Sequence, residues 1–438
     1  RSTLFPYTTL FRSRDLTDAH TTVKRELIAA LTTFVSLSYI LFVNPNLLHA
    51  AGMPKGAAFT VTAIATAIGC FIMGLVANYP VALAPTLGSG AFFAYNVCVG
   101  MHIKWQTALA AVLVASILFI LSTVFKLREK VVDAIPQDLK YAISAGIGLF
   151  IAFIGLQNGK LIVNSDSTLV TLGKFNSPAV WITLFGLILT VILMAMQVPG
   201  SIFIGMVVTA IFGILIGQIP LPTHIISSAP NIAPTFGQAV IHLKDINTPQ
   251  LFMVVLTFLL VTFFDTAGTL IGMTEQAGMV DKNGKIPRIG RAFLSDSTAM
   301  VEGAVLGTAP LGTSVESSAG IAMGGRTGLT AVFIGIFFII SMIFSPLLAV
   351  IPTTVTAPAL IIVGVLMAGN LKKIHWEKFE IALPAFLTVV GMPVTYSISD
   401  GLALGMIAYP ITMIASKQYK KVTPMMYILF IIFIIFLS

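Results

Sequence analysis

The chain has 438 residues, of which 57% are hydrophobic and only 10% are charged. A soluble domain averages about 25% charged residues, and long apolar runs recur throughout this sequence. The composition therefore excludes a globular enzyme with a single anchor and predicts a polytopic membrane protein. The formal net charge of +8 suits basic loops at one membrane face better than a nucleic-acid partner.

The apolar runs predict about fourteen membrane segments, seven in each half of the chain. The predicted segments are 27–50, 58–77, 86–99, 107–126, 140–157, 178–196 and 201–218, then 251–273, 292–308, 313–324, 328–350, 356–370, 379–396 and 400–416. Between the halves, 219–250 is poor in charge and reads as an extracytoplasmic loop. The first residues, 1–13, do not match the rest of the chain and read as a cloning or adaptor scar. The last run, 424–438, is short for a span.

The basic residues test this topology, because cytoplasmic loops carry an excess of Lys and Arg. With the N-terminus inside, most Lys and Arg residues fall on the cytoplasmic side. The opposite side receives Lys55, Lys104, Lys160, Lys174 and Lys244. The charge distribution therefore supports cytoplasmic termini and explains the basic balance without nucleic acid.

The most unusual stretch is 303–328, where a Pro, small polar residues, a carboxylate and an Arg interrupt the apolar pattern. Non-helical backbone at membrane depth is tolerated only where protein buries it or where it lines a cavity. A charge there indicates a functional site. We therefore expect a broken helix from Pro310 to Glu316 at a binding site. The alternative is a surface loop in which Glu316 starts a helix.

A weak internal repeat supports the first interpretation. Residues 84–89 (APTLGS) are similar to 309–314 (APLGTS), so the breaks fall at matching places in the two halves. Seven segments per half is an odd number, and the halves must then have opposite orientations in the membrane. An inverted repeat with a broken helix in each half is typical of secondary transporters.

The predicted site follows from the two breaks. Half-helices that start near Gly88 and Thr313 would meet head to head at mid-membrane, with their free N–H groups and positive dipole ends facing a shared cradle. Ser89, Thr313 and Ser314 supply hydroxyl groups. Glu316 is the candidate for a direct bond to the substrate.

Other polar and aromatic residues are candidates either for a role at the site or for a structural role. Asp265 lies near the middle of the eighth segment with no Lys or Arg in that segment. Because burial disfavours a charged carboxylate, Asp265 is the better candidate for a proton carrier; the alternative is a structural hydrogen bond. Phe92 could stack on a ring or simply pack. Asp296 reads as a helix-start or loop anchor, and the pattern gives Glu302 no position.

Several stretches carry a family pattern: 43–45 (VNP), 82–85 (ALAP), 133–158, 264–270 (FDTAGTL), 315–320 (VESSAG) and 324–329 (GGRTGL). They resemble the adenine/guanine/hypoxanthine (AzgA-like) permeases of the nucleobase–cation symporter superfamily. The resemblance covers residues 20–438. It implies an all-α, seven-plus-seven inverted repeat of uracil-permease-like architecture, with two broken half-helices at the midplane.

The resemblance also implies a function and a domain organisation. It implies proton-coupled import of purine nucleobases across the plasma membrane, with substrate and proton-coupling carboxylates at Asp265 and Glu316 and a homodimer formed through the gate domain. The implied divisions are a tail (1–19), core (20–126), gate (127–220), loop (221–250), core (251–350), gate (351–416) and an apolar tail (417–438).

Departures from the family pattern surround the site. Thr86 and Gly90 stand where Gly and Asn are expected, and Thr262 stands where Asp is frequent. We expect Gly90 and Thr262 to contact the substrate together with the residues above. These changes leave the transporter class intact and leave the choice among hypoxanthine, guanine and adenine open.

Other functions fit less well. An anion transporter of the same architecture would need a cation in the cradle. An intramembrane hydrolase would need Ser with His or a metal at depth, and all six histidines fall in or beside predicted loops. Paired broken helices favour alternating access over a channel. Cys70 and Cys98 predict neither a disulfide nor a metal site, and without a nucleotide-binding loop no cofactor is expected.

Overall fold

The computed structural model describes residues 19–125, 135–222, 224–279 and 286–437. The predicted scar and the basic residues within 126–130 and 282–285 lie outside this part. The described residues are mostly helical. The α-helices are α1 Val23–Leu37, α2 Ile40–Ala50, α3 Lys55–Ile72, α4 Leu87–Ala91, α5 Trp105–Val124, α6 Gln137–Asn158, α7 Pro178–Ala195, α8 Ser201–Leu215, α9 Gln238–Ile241, α10 Pro249–Gln276, α11 Ile289–Leu306, α12 Ser317–Ala322, α13 Gly328–Ser341, α14 Thr353–Ala368, α15 Phe379–Thr395, α16 Ile398–Ala415 and α17 Pro424–Leu437.

Shorter elements complete the described chain. Two π-helical segments, Met73–Ala77 and Phe92–Gly100, continue α3 and α4. The 3₁₀ segments are Leu243–Asp245, Met342–Val350, Gly369–Lys373 and Tyr419–Lys421. The strands are β1 Leu83–Pro85, β2 Ile162–Ser165, β3 Leu169–Leu172 and β4 Leu311–Thr313.

Length and composition mark the membrane-spanning helices. In the described part, 8 helical stretches are long and apolar enough to cross a membrane, and five shorter apolar helices accompany them. The prediction of a polytopic helical membrane protein is therefore confirmed. The final apolar run forms α17, a helix of 14 residues, in keeping with its prediction as a short segment.

The half-helix predicted near Gly88 is present from Leu87, but the prediction was wrong about where the second half-helix begins. Instead of a helix from Thr313, the second break contains β4, and α12 begins only at Ser317. β4 pairs antiparallel with β1, with Leu83 opposite Thr313. The pairing gives the non-helical backbone hydrogen-bond partners within the protein, which hydrocarbon could not provide. We call β1 and β4 the crossing strands.

The helices pack in two groups. The crossing-strand group contains α1–α5 and α10–α13, and the second group contains α6–α8 and α14–α17. Within the second group, glycines allow close approach: a Cβ added at Gly155 of α6 would lie 3.0 Å from the Ala357 carbonyl oxygen of α14, and one at Gly364 would lie 2.4 Å from the Gly148 carbonyl oxygen. Small residues at such interfaces are the usual means of tight helix packing in membranes.

Part of the predicted loop between the halves covers one end of α11. The Gly237 amide donates to the Val305 carbonyl oxygen at 2.8 Å, and the Thr235 hydroxyl donates to the Leu306 carbonyl oxygen at 3.2 Å. These bonds satisfy carbonyls that the end of a helix leaves without partners. The loop thereby fixes the helix that lies behind β4.

Candidate binding site at the crossing strands

A cavity lies between the crossing strands, the start of α4 and the ends of α1 and α14. Its cavity volume is about 90 Å³, smaller than the roughly 300–1,000 Å³ typical of small-molecule sites. The lining residues are Leu37, Tyr39, Ile40, Ala84, Pro85, Thr86, Leu87, Gly88, Thr313, Ser314, Val315, Glu316, Val363 and Met367. The lining is mostly apolar, and its polar groups gather around one carboxylate.

Glu316 carries that carboxylate at the N-cap position of α12. Its Oε1 accepts a hydrogen bond from the Tyr39 hydroxyl at 2.5 Å, and its Oε2 accepts one from the Ser314 hydroxyl. Bonds from neutral hydroxyls to a carboxylate are strong and fix its orientation. Each oxygen keeps a further lone pair, so the carboxylate can accept N–H donors from a bound molecule.

Thr313, Ser314 and Glu316 all line this cavity. The Thr313 hydroxyl also donates to Asp296 Oδ1 at 3.4 Å. Asp296, predicted as a helix-start or loop anchor, lies fully buried inside α11. Ser89 lies just behind the lining, where its hydroxyl hydrogen-bonds that of Thr86.

Gly90, Phe92 and Thr262 lie further back, outside the lining. A Cβ added at Gly90 would lie 3.7 Å from the Asn44 side-chain oxygen. The Phe92 ring packs edge-to-face against Phe258 with centroids 4.8 Å apart, which is the packing alternative. Thr262 is buried on α10. Asp265 lies on the same helix, and its side chain is outside the described residues.

Sequence reasoning missed Tyr39. This residue lies where the first predicted span is interrupted, between the end of α1 at Leu37 and the start of α2 at Ile40. The break places the phenol opposite Glu316, and the ring is 2% exposed. The sequence around it contains neither Gly nor Pro within two residues on either side, so the usual signals of a helix break are absent.

The electrostatics of the lining are simple. Among the described residues of the lining, Glu316 is the one that carries a charge, and none is a Lys or Arg. Arg326, C-terminal to α12, donates to the carbonyl oxygens of Ile321 and Gly325 at 2.6 and 2.8 Å. A carboxylate oriented by hydroxyls in an apolar cavity favours a neutral, N–H-bearing solute over an anion.

These features define a multi-pass membrane protein with a candidate solute site at the crossing strands. A family model described as "Permease family" matches residues 24–404. The chain belongs to this family, whose members are transporters and not enzymes.

Curated relatives match over nearly the whole chain. The guanine/hypoxanthine permease PbuG of Bacillus subtilis (strain 168) is 52% identical over 420 residues, which cover 94% of this chain and 95% of that protein. The adenine permease AdeQ of Escherichia coli (strain K12) is 40% identical over 412 residues, which cover 94% of this chain and 92% of that protein.

Solved structures share the fold. The transmembrane domain of the cyanobacterial bicarbonate transporter BicA matches with a TM-score of 0.63 at 15% identity, covering 90% of this chain and 97% of that one. Murine Slc26a9, an anion transporter in the inward-facing state, matches with a TM-score of 0.64 at 10% identity, covering 95% and 73%. These similarities confirm the predicted inverted-repeat architecture.

Proposed function

We propose that this chain imports purine nucleobases, namely hypoxanthine, guanine or adenine, across the plasma membrane. The observation that carries the proposal is the Glu316 carboxylate, which accepts hydrogen bonds from two hydroxyls in a cavity whose described lining contains no Lys or Arg. A purine offers N–H donors to a carboxylate and ring nitrogens to backbone N–H groups. Relatives named as guanine/hypoxanthine and adenine permeases support the same substrate class.

Proton symport is the proposed driving force. Carboxylates inside the membrane are the groups from which proton relays are built, and Glu316 lies directly at the cavity. Asp265, whose helix α10 contacts both β4 and α12, is the second proposed proton-coupling group. A protonophore should therefore abolish accumulation of the substrate.

The cavity also supports alternating access. On the Asn158 side of the cavity, the two helix groups are joined by a set of contacts that we call the latch, formed by Tyr95, Asn96, Asn158, Tyr396 and Ser397. The Asn158 amide donates to the Tyr95 hydroxyl at 3.1 Å, and the Ser397 hydroxyl donates to Asn96 Oδ1 at 3.3 Å. The Tyr95 and Tyr396 rings stand edge-to-face with centroids 6.2 Å apart.

Along α6, the cavity lies beside the middle of the helix, whereas the latch lies at its Asn158 end. A Cβ at Gly88 would lie 2.9 Å from Ile147, and one at Gly148 would lie 2.5 Å from the Cβ of Met367, a cavity residue. Both contacts lie at the middle of α6, 10 or 11 residues from either end. With the Gln137 end on the basic, cytoplasmic side, we expect the latch to lie between the cavity and the outside.

We further propose that the crossing-strand group is the core domain and that the second group is the gate domain. The core would move against the gate in an elevator or rocking motion. Both termini would be cytoplasmic in this arrangement, and a homodimer would form through the gate domain within the bilayer. The packing of helices into two groups supports the division.

An anion transporter is the second candidate, because the structural neighbours include bicarbonate and other anion transporters. The cavity counts against it. An anion beside Glu316 would meet a like charge, and no lining Lys or Arg would compensate for it.

The test is uptake of labelled hypoxanthine, guanine and adenine in cells that lack their own purine permeases. Unlabelled uracil, xanthine and sulfate serve as competitors, with and without a protonophore. We expect saturable purine uptake that the protonophore abolishes. Glu316→Gln should abolish substrate binding, whereas Glu377→Gln, at an exposed position, should leave it unchanged. Normal binding by Glu316→Gln would contradict the site assignment.

A further inference from the structure

Glu302 is a membrane-buried carboxyl group that the proposed site does not use. It lies in α11, four residues before the helix ends at Leu306. Both of its side-chain oxygens are buried, and neither has a hydrogen-bond partner among the described residues. In this it differs from Glu316, whose two oxygens each accept a hydroxyl.

The packing places Glu302 behind the crossing strands. Ala299, one turn earlier on α11, would lie 3.3 Å from a Cβ at Gly69 of α3, so Glu302 faces the same helix. The next residue, Gly303, packs against Leu311 of β4: a Cβ there would lie 2.3 Å from Leu311 Cδ1. Glu302 is therefore one layer away from the strand that carries Thr313 and is not part of the cavity lining.

The titratable groups around Glu302 are few. Cys70 of α3 is close enough to Glu302 for the two groups to interact electrostatically. The other neighbours of α11 are α5, α9, β4 and the π segment Met73–Ala77, and their sequences contain no titratable residue. Lys55 stands at the far end of α3, about 22 Å along the helix from Cys70, and Arg291 lies about 16 Å along α11 from Glu302. Asp296 shares α11, and the side chains of Asp265 and Glu275 on α10 are outside the described residues.

Among the described residues, an ionised carboxylate in this position would find neither a cation nor a hydrogen bond to offset its desolvation. That cost is several kcal/mol or more, and a buried group of this kind takes up a proton instead. The neutral acid is consequently the form that this conformation accommodates.

We propose that Glu302 is a proton-binding site of the crossing-strand group and that it holds a proton that travels with the substrate. The proposal rests on the proposed proton symport and adds a third carboxyl group, outside the cavity, to Asp265 and Glu316. The carboxylate gains one proton from water on one side of the membrane and returns it to water on the other, with no other bond changed.

The first experiment detects the proton without any substrate. Infrared spectra of the full-length protein in lipid are compared with those of Glu302→Gln. We expect the carbonyl-stretch band of a protonated carboxylic acid to be lost in the variant and kept in the exposed-site control Glu377→Gln. A band that persists unchanged in Glu302→Gln overturns the proposal, whether or not the protein proves to transport purines.

The second experiment measures coupling in proteoliposomes. A gradient of one pH unit can drive about a tenfold accumulation of a neutral solute that moves with one proton. We expect the unmodified protein and Glu377→Gln to approach this ratio. Glu302→Gln should stay near a ratio of 1 and still exchange labelled for unlabelled purine, because exchange requires no proton release.

A second variant separates titration from structure. Glu302→Asp keeps an ionisable group, and we expect it to retain gradient-driven accumulation and a shifted carbonyl band. Unchanged accumulation in a well-folded Glu302→Gln would refute the proposal. If Glu302→Gln does not elute as a monodisperse protein, the test uses Glu302→Asp instead. Loss of accumulation in a well-folded Glu302→Asp that still exchanges purine would also refute the proposal. Failure of the unmodified protein to take up any purine would refute the proposed function instead.

Discussion

At the scale of single residues, the site depends on how a charge is stabilised in an apolar cavity without a counter-ion. Two hydroxyls, from Tyr39 and Ser314, share that role at Glu316. Ser314 is only two residues from Glu316 in the chain, whereas Tyr39 is 277 residues away and contacts it through the tertiary fold. The phenol therefore couples the orientation of the carboxylate to the break between α1 and α2.

We predict that Tyr39→Phe weakens purine binding roughly tenfold or more, because a hydrogen bond to a charged acceptor contributes about 1.5–3 kcal/mol. The maximal transport rate should change less than the KM. Scintillation proximity binding and initial-rate uptake measure the two effects. Tyr427→Phe, on α17 and away from the cavity, is the matched control. Tighter binding in Tyr39→Phe would mean that the phenol competes with the substrate.

The candidate site was only partly predictable at this scale. Glu316 could be found because a carboxylate among small residues is conspicuous in an apolar sequence. Tyr39 could not, because a Tyr in a membrane helix usually packs, and its role arises from a tertiary contact 277 residues away. Phe92 had two interpretations, stacking on a ring or packing, and the contact of its ring with Phe258 became visible only in three dimensions.

At the scale of elements, the N-terminus of α13 is capped by a carboxylate from a different helix. Glu26 of α1 is fully buried and accepts hydrogen bonds from the amides of Arg326, Thr327 and Thr330 at 3.0, 3.3 and 3.2 Å. Asn78 accepts one more, from the Gly328 amide at 2.6 Å. Between them these side chains satisfy donors that the first turn of a helix leaves free, and the negative charge suits the helix dipole.

We predict that Glu26→Ala destabilises the protein by on the order of 3 kcal/mol, because several buried donors lose their acceptor. Glu26→Gln, which keeps one acceptor oxygen, should cost less. Thermal unfolding in detergent, followed by size-exclusion chromatography, ranks these variants against the exposed-site control Glu377→Ala. Equal midpoints for Glu26→Ala and the control would show that water replaces the lost bonds.

Elements also differ in how far the sequence predicts them. The long helices follow from apolar runs, and the predicted segments agree with the structure to within a few residues. The crossing strands could not be predicted in this way, because three residues are too few to show a period of two. Pro85 and Gly312 indicated a break in the helix without indicating that the two breaks pair with each other.

At the scale of the whole molecule, the latch joins two helix groups that are otherwise packed mainly within themselves. Its members come from the π segment Phe92–Gly100 on one side and from the ends of α6 and α15 and the start of α16 on the other. If the groups move against each other during transport, these contacts must break in each cycle.

We predict that Asn96→Cys combined with Ser397→Cys, in a chain with Cys70→Ala and Cys98→Ala, forms a cross-link under oxidising conditions. Uptake should then stop, binding from the cytoplasmic side should persist, and a reductant should restore uptake. Each single-cysteine variant serves as a control. Full uptake in the cross-linked protein would show that the latch stays closed during transport.

The pairing of β1 with β4 has a consequence for how the protein is made. The two strands lie roughly 225 residues apart in the chain, and ribosomes add about 5–20 residues per second. β1 is therefore synthesised on the order of ten seconds or more before its partner strand is available. We expect that two separately encoded halves, divided within 224–248, accumulate only when both are expressed together. A half expressed alone would contain an unpaired strand and would be degraded by quality-control proteases.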